Sequence, residues 1–164
     1  MGMLGALLCG QRSLRLDAPA DAPPEKIRLI PDQLRISNVG RLGNGRLFFV
    51  DAQVDPLGGN LTNDYACTFL FDTDGRLVEH WIEFVGERNA YPELNLVAAI
   101  DRHLAALNDP VITDIRVRPF RVESEGAVFG LIPRRTRDGD WRVEFMPGDT
   151  LSFYPPWDAG GYDT

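Results

Sequence analysis

The sequence predicts an α+β fold: a mainly antiparallel sheet, or half-open barrel, of two β-meanders with one long helix packed on it. Three observations carry this expectation. Asp72-Thr73-Asp74-Gly75 and Asp138-Gly139 each stand between strand-forming runs, and Asp-Gly in that setting is a strong hairpin signal. Residues 92–107 carry apolar side chains at helical spacing. Finally, 164 residues with 44% hydrophobic and 25% charged content suit one soluble domain with its own core.

Met1–Gly10 is apolar but has no basic leader and no clear cleavage site, so it makes a poor signal peptide. The following Pro- and Ala-rich stretch to Glu25 reads as an arm, which leaves residues 26–164 as a single domain. Lys26–Ile30 is a short strand ended by Pro31, and Gln33–Val39 is a second short strand or an irregular approach. Arg46–Val54, RLFFVDAQV, is a core strand. Asp55–Asp64 holds Pro56, Gly58, Gly59 and Asn60 and is expected to be an exposed loop, a place where binding groups gather.

The organising hairpin is Ala66–Val85. Cys67, Phe69 and Phe71 share one face of its first strand. On the second strand Val78, His80, Ile82 and Phe84 share a face, with Glu79, Trp81 and Glu83 opposite. His80 is thereby drawn into an apolar face, where a histidine is expected to be a hydrogen-bonded core residue.

Pro92 suits the first position of the helix, Leu96, Val97, Ile100, Leu104 and Leu107 form its stripe, and Asn108-Asp109-Pro110 ends it. Asp101 and Arg102 should face water and His103 should flank the stripe. Val111–Val122 returns to strand pattern with a break at Pro119. Ala127–Ile132 is a central strand, and Trp141–Met146 and Thr150–Tyr154 complete the second meander. The two Asp-Gly hairpins look alike, but no periodic repeat extends beyond them.

The net charge of −7 argues against nucleic-acid binding, which depends on Lys and Arg displacing counterions. No run is long enough to span a membrane. Cys9 and Cys67 are too few for a disulfide framework, which points to a reducing, cytoplasmic setting. His80 and His103 lack metal-ligand spacing, and Asp72–Gly75 lacks the later glutamate of a calcium loop, so no metal is expected. No glycine-rich phosphate loop or dinucleotide fingerprint is present, and no cofactor is expected.

Two functional readings remain. In the first, the chain is a non-catalytic module that binds a basic protein partner through the aromatic and acidic C-terminal tail, with Tyr154, Trp157, Asp158 and Tyr162 as contacts. In charge and size this is analogous to bacterial immunity proteins that neutralise toxins, although no motif is shared. In the second, the chain is a small enzyme or ligand-binding domain that uses His80, Glu79 and Asp158. Two carboxylates drawn from Asp51, Asp55, Glu79, Glu83, Asp149 and Asp158 could then converge in a cleft. Self-association through strand edges fits either reading.

Overall fold

A computed structural model describes residues 21–58 and 61–164. The apolar start with Cys9, the arm as far as residue 20, and Gly59 and Asn60 lie outside the described residues. The elements in order are β1 (Ile27–Leu29), β2 (Asn38–Arg41), β3 (Leu47–Gly58), β4 (Leu61–Phe71), β5 (Leu77–Glu87), α1 (Leu94–Ala105), β6 (Val111–Ile112), β7 (Ile115–Val117), β8 (Phe120–Ser124), β9 (Ala127–Arg135), β10 (Trp141–Met146), β11 (Ser152–Phe153) and β12 (Tyr162–Asp163).

Two meanders form as expected, β2 to β5 and β8 to β12, but Val111–Val122 does not simply open the second: β6 returns to pair with β2 in the first sheet and β7 pairs with β1. The first sheet runs β5-β4-β3-β2-β6, the second runs β12-β11-β10-β9-β8, and β1 and β7 pair in a separate ribbon. All pairings are antiparallel. The helix falls between the meanders, as the sequence pattern implies.

Alternation decides what each face does. Phe49, Tyr65 and Phe69 of the first sheet meet Phe120, Phe129 and Phe145 of the second, with ring centroids 4.8–6.1 Å apart, in the range where aromatic pairs attract. Cys67 is buried among them as a free thiol. On the outer face of the first sheet, Phe48, Val50 and Leu70 pack with Leu42 under Ile100, Leu104 and Leu107. Val97 is exposed instead, because Ala99 and His103 are the residues turned fully inward.

Of the expected loop at Asp55–Asp64, the described residues 55–58 and 61–64 are strand instead. β3 and β4 pair through Asp55 opposite Asn63 and Pro56 opposite Thr62, with an irregularity between Pro56 and Gly58. Beyond Val50, β3 has no β2 residue beside it, and a proline is tolerated in a strand bonded on one side only. Pro119 separates β7 from β8, and the chain there leaves the ribbon for the second sheet.

The Asp72–Gly75 turn is closed by Asp72, whose Oδ1 accepts from the N–H groups of Asp74 and Arg76. Gly75 has φ +83°, and a Cβ there would lie 2.6 Å from the Arg116 carbonyl oxygen. Asp74 ties the turn to Lys26 and Arg118, each at 2.7–2.8 Å. No helix among the described residues is long and apolar enough to cross a membrane.

Candidate functional site

His80 lies opposite Phe69 and shares the inner face of its strand with Ile82 and Phe84, as expected. It is nonetheless exposed, which corrects its expected burial. β5 is the outer strand of the sheet, and Phe120 of the second sheet packs at an angle against Phe69 and Phe71 of β4. The apolar face therefore continues past its cover. Glu79 points to the opposite face and pairs with Arg46 at 3.4 Å. Asp158 is exposed and pairs with Arg116 at 3.2 Å. Among the described residues, no hydrogen bond or ion pair joins His80, Glu79 and Asp158 to one another.

The tail folds back on the body. Trp157 is half-buried against the core, and its carbonyl accepts from the Arg28 N–H at 3.0 Å. Tyr162 lies in β12, which pairs with β11 as the outer strand of the second sheet. The Tyr162 hydroxyl donates to Asp32. Burial works against ionised Asp32, but that bond and the N–H groups of Arg35, Ile36 and Leu34 hold its carboxyl down at about 2. Burial and the same carboxylate push the Tyr162 phenol up to about 12. Tyr154 keeps its ring exposed.

The core-histidine role expected of His80 belongs to His103. Its ring is fully buried and stacks on Trp81 with centroids 3.5 Å apart and planes within 7°. Nδ1 lies 2.7 Å from Thr68 Oγ1 and Nε2 lies 3.2 Å from Glu83 Oε2. Ionised Glu83 can only accept, so Nε2 carries the proton and Nδ1 accepts from the Thr68 hydroxyl. Burial lowers the pKa of this imidazole, against the pull of Glu83. Hydroxyl, imidazole and carboxylate are connected here as in a nucleophile relay. Thr68, however, is buried under α1, so the network joins helix to sheet instead of meeting substrate.

A similar clasp lies beside a cleft of about 370 Å³ lined by Asp64, Arg88, Asn89, Tyr91, Glu93 and Leu96. The buried Asp64 carboxylate accepts from Arg88 Nη2 at 2.8 Å and from the Tyr91 hydroxyl at 2.6 Å. Burial and Asp64 push the Tyr91 phenol up to about 12. The carboxylate is satisfied within the chain, and the clasp pins the segment before α1 to β4.

One polar group inside the sandwich is not satisfied. Along the inner face of β3 the residues run Leu47, Phe49, Asp51, Gln53, and the last two lie opposite Cys67 and Tyr65 of β4. Gln53 has 0% exposure. Its Nε2 donates to Thr150 Oγ1 at 3.0 Å and to the Ala52 carbonyl at 3.1 Å, while Oε1 has no hydrogen-bond partner among the described residues. Asp51 is half-buried. Burial pushes its carboxyl up to about 7, although the Ala52 N–H, the nearby Arg35 charge and Gln53 pull it down. Burial, with Asp51 as a lesser cause, puts the Cys67 thiol well above its ordinary range.

Asp51 was one of several carboxylates the sequence offers. The polar step after Leu47 and Phe49 on one strand face was the signal that could have singled it out together with Gln53. Comparison with protein-family models, curated proteins and solved structures finds no match for this chain.

Proposed function

We propose that the chain is a non-catalytic protein-binding module that engages a basic partner along the edge of β5, which no strand among the described residues pairs. The observation that carries this reading is the edge itself. Over its 11 residues, β5 leaves Val78, Trp81 and Phe84 exposed by 48%, 41% and 50%. Trp81 lies on the helix side and Phe84 on the other, so large apolar groups are bare on both faces. Such a strand is a template to which an extended segment of a partner adds through backbone hydrogen bonds, with side chains covering the two faces.

Charge selects the partner. Glu87 is exposed on the same strand, beside Glu79 and Glu83, which Arg46 and Arg102 partly neutralise, within a chain of net charge −7. Such a field steers a basic segment and repels an acidic one. His80 becomes a contact residue on this edge. Trp157 and Asp158 tie the tail to the β1–β7 ribbon through Arg28 and Arg116, Tyr162 belongs to the second sheet, and Tyr154 remains available as an outlying aromatic contact.

The test uses wild type, Phe84→Lys and Val78→Lys as baits with identification of the captured protein, followed by reconstitution from purified components. The expected result is a basic protein bound by wild type, weakened about tenfold or more by either substitution, and weakened by added salt. A partner indifferent to both β5 substitutions, an acidic partner, or binding only between copies of this chain would overturn the reading.

A further inference from the structure

We propose that the inner face of β5 is covered by an extended segment of the partner that pairs with the edge of β8, sets alternate apolar side chains on β5, and begins with an arginine or lysine. The inference rests on the reading of β5 as the partner's contact strand, and it names the segment that covers one of its faces.

The two sheets do not end together. Phe120 of β8 meets Phe69 and Phe71 of β4 at 4.8 and 5.4 Å, so β8 lies over β4 and β5 projects one strand farther. The projecting ledge is the inner face of β5. Val78 and Phe84 are exposed there by 48% and 50%, with exposed His80 and half-buried Ile82 between them. The wall behind the ledge is β8, five residues long, and no strand among the described residues pairs with its outer edge. Stacked sheets stand about 10 Å apart, so the ledge has the height of one strand and its layer of side chains.

β8 offers backbone bonds toward the ledge. It joins β9 through the two-residue turn Glu125-Gly126, with φ of 53° and 75°, and Ser124 stands opposite Ala127. The residues that flank such a turn exchange both backbone bonds, and bonded and non-bonded pairs then alternate along the ladder. Ser124, Val122 and Phe120 therefore direct their N–H and C=O groups to β9. Those of Arg121 and Glu123 point the other way, over β5.

Charge selects the occupant. Asp55, Asn63 and Glu87 stand in one row across β3, β4 and β5, just past the Tyr65 and Phe84 pair, whose ring centroids are 5.6 Å apart. Burial is the main cause that raises the Tyr65 phenol, and the charges of Asp55 and Glu125 raise it further, which places both carboxylates near this end of the ledge. Asp55, Glu87 and Glu125 form no ion pair among the described residues. An aromatic ring among carboxylates takes a guanidinium or ammonium. β8 runs toward this end, and antiparallel pairing is the more stable, so the cation comes first in the segment. In a β8-to-β8 pairing the two overhanging β5 strands would occupy the same space, so a second copy of the chain does not fit the ledge.

The experiment titrates the purified chain with a short capped peptide, an arginine followed by alternating threonine and valine, and with its glutamate-led counterpart. Calorimetry gives the affinity and amide hydrogen exchange gives the place. The arginine-led peptide should bind saturably, about tenfold or more tighter than the other, and should protect the Arg121 and Glu123 amides. With arginine and valines on β5, the threonines stand opposite Arg121 and Glu123 and share their outward face. N-methylation of the threonines should therefore abolish binding, and N-methylation of the valines should not. Glu123→Pro removes one outward N–H from an edge strand and should weaken binding about tenfold while thermal unfolding stays cooperative. No saturable binding, equal binding of the glutamate-led peptide, tolerance of N-methyl-threonine, or Arg121 and Glu123 amides already protected in the free chain would overturn the proposal. Any of these beside a basic partner captured through β5 overturns this inference alone; peptide binding indifferent to Phe84→Lys and Val78→Lys overturns the β5 reading with it.

Discussion

Asp51→Asn should stabilise the protein, and by an amount that depends on pH. The substitution keeps the shape of the side chain and an acceptor for the Ala52 N–H, and it removes only the ability to ionise. The native carboxyl is held at about 7 instead of 3.8. At about 1.36 kcal/mol per pKa unit, the cost of carrying the charge in the fold has a ceiling of about 4 kcal/mol. Because the side chain is half-buried and partly screened, about 2 kcal/mol is the working figure.

The sign follows from linkage. Below pH 3.8 the carboxyl is neutral in both folded and unfolded chains and contributes nothing. Between 3.8 and about 7 the unfolded chain ionises first, so the penalty on the fold grows with pH and then levels off. The charged or titratable groups facing Asp51 are Arg35 and Cys67, and neither changes charge in that window. Urea unfolding of wild type and Asp51→Asn from pH 4 to pH 8 isolates the effect as a difference between the two proteins. The difference should be near zero at pH 4 and rise to about 2 kcal/mol in favour of Asn at pH 8. A flat difference, or a variant less stable at pH 8, would refute the account of Asp51 as a charge held against its environment.

Three further outcomes follow from the other polar groups. The folded pKa of His103 is depressed, so the stability it confers is complete above about 6.5 and is lost as pH falls from there toward the lower folded value. Its facing groups are Glu83 and Arg102, with Thr68 and Trp81 uncharged, and His103→Gln should flatten that slope in pH-dependent urea titrations. Tyr162→Phe removes a donor from Asp32 and should cost about 1–2 kcal/mol in urea unfolding at pH 7. Gly75→Ala combines a positive φ with a Cβ only 2.6 Å from a backbone oxygen, and the thermal midpoint should fall with a loss of about 1–3 kcal/mol.

What could be read from the chain alone was local. The Asp72–Gly75 turn, the alternation of Cys67, Phe69 and Phe71, and the stripe from Leu96 to Leu107 each depend on neighbours a few residues away, and each appears nearly as expected. Alternation also placed His80 on the correct face. It could not say that the second sheet stops short of that face, because cover is supplied by Phe120 from another meander. His103 presents the converse case: its partners Glu83 and Thr68 lie 20 and 35 residues away, so the spacing of the helix showed only that it flanks the stripe.

The turn-rich composition of Asp55–Asp64 was outweighed by pairing with the opposite strand, a tertiary effect that overrides local preference. For Asp51 and Gln53 the face was legible in RLFFVDAQV, but the missing partner of Gln53 was not. The tail gave its composition plainly and its role only through Asp32 and Arg28, which lie far back in the sequence.

Arg28 carries a consequence for how the molecule assembles. Apart from the β2–β6 pairing, each sheet is a meander of neighbouring strands, so most of its hairpins close over short stretches of chain and can form early. The backbone N–H of Arg28 reaches Trp157, its Nη1 reaches the Asp158 carbonyl 130 residues away at 3.2 Å, and its Nε reaches Asp114 at 2.9 Å. These contacts close a loop as long as that of the Asp32–Tyr162 bond and draw on the ribbon, the tail and the segment after the helix together. They gain only after both meanders exist, so together with the Asp32–Tyr162 bond they form the seam that joins the beginning of the described chain to its end, set last and first to give way when the ends part.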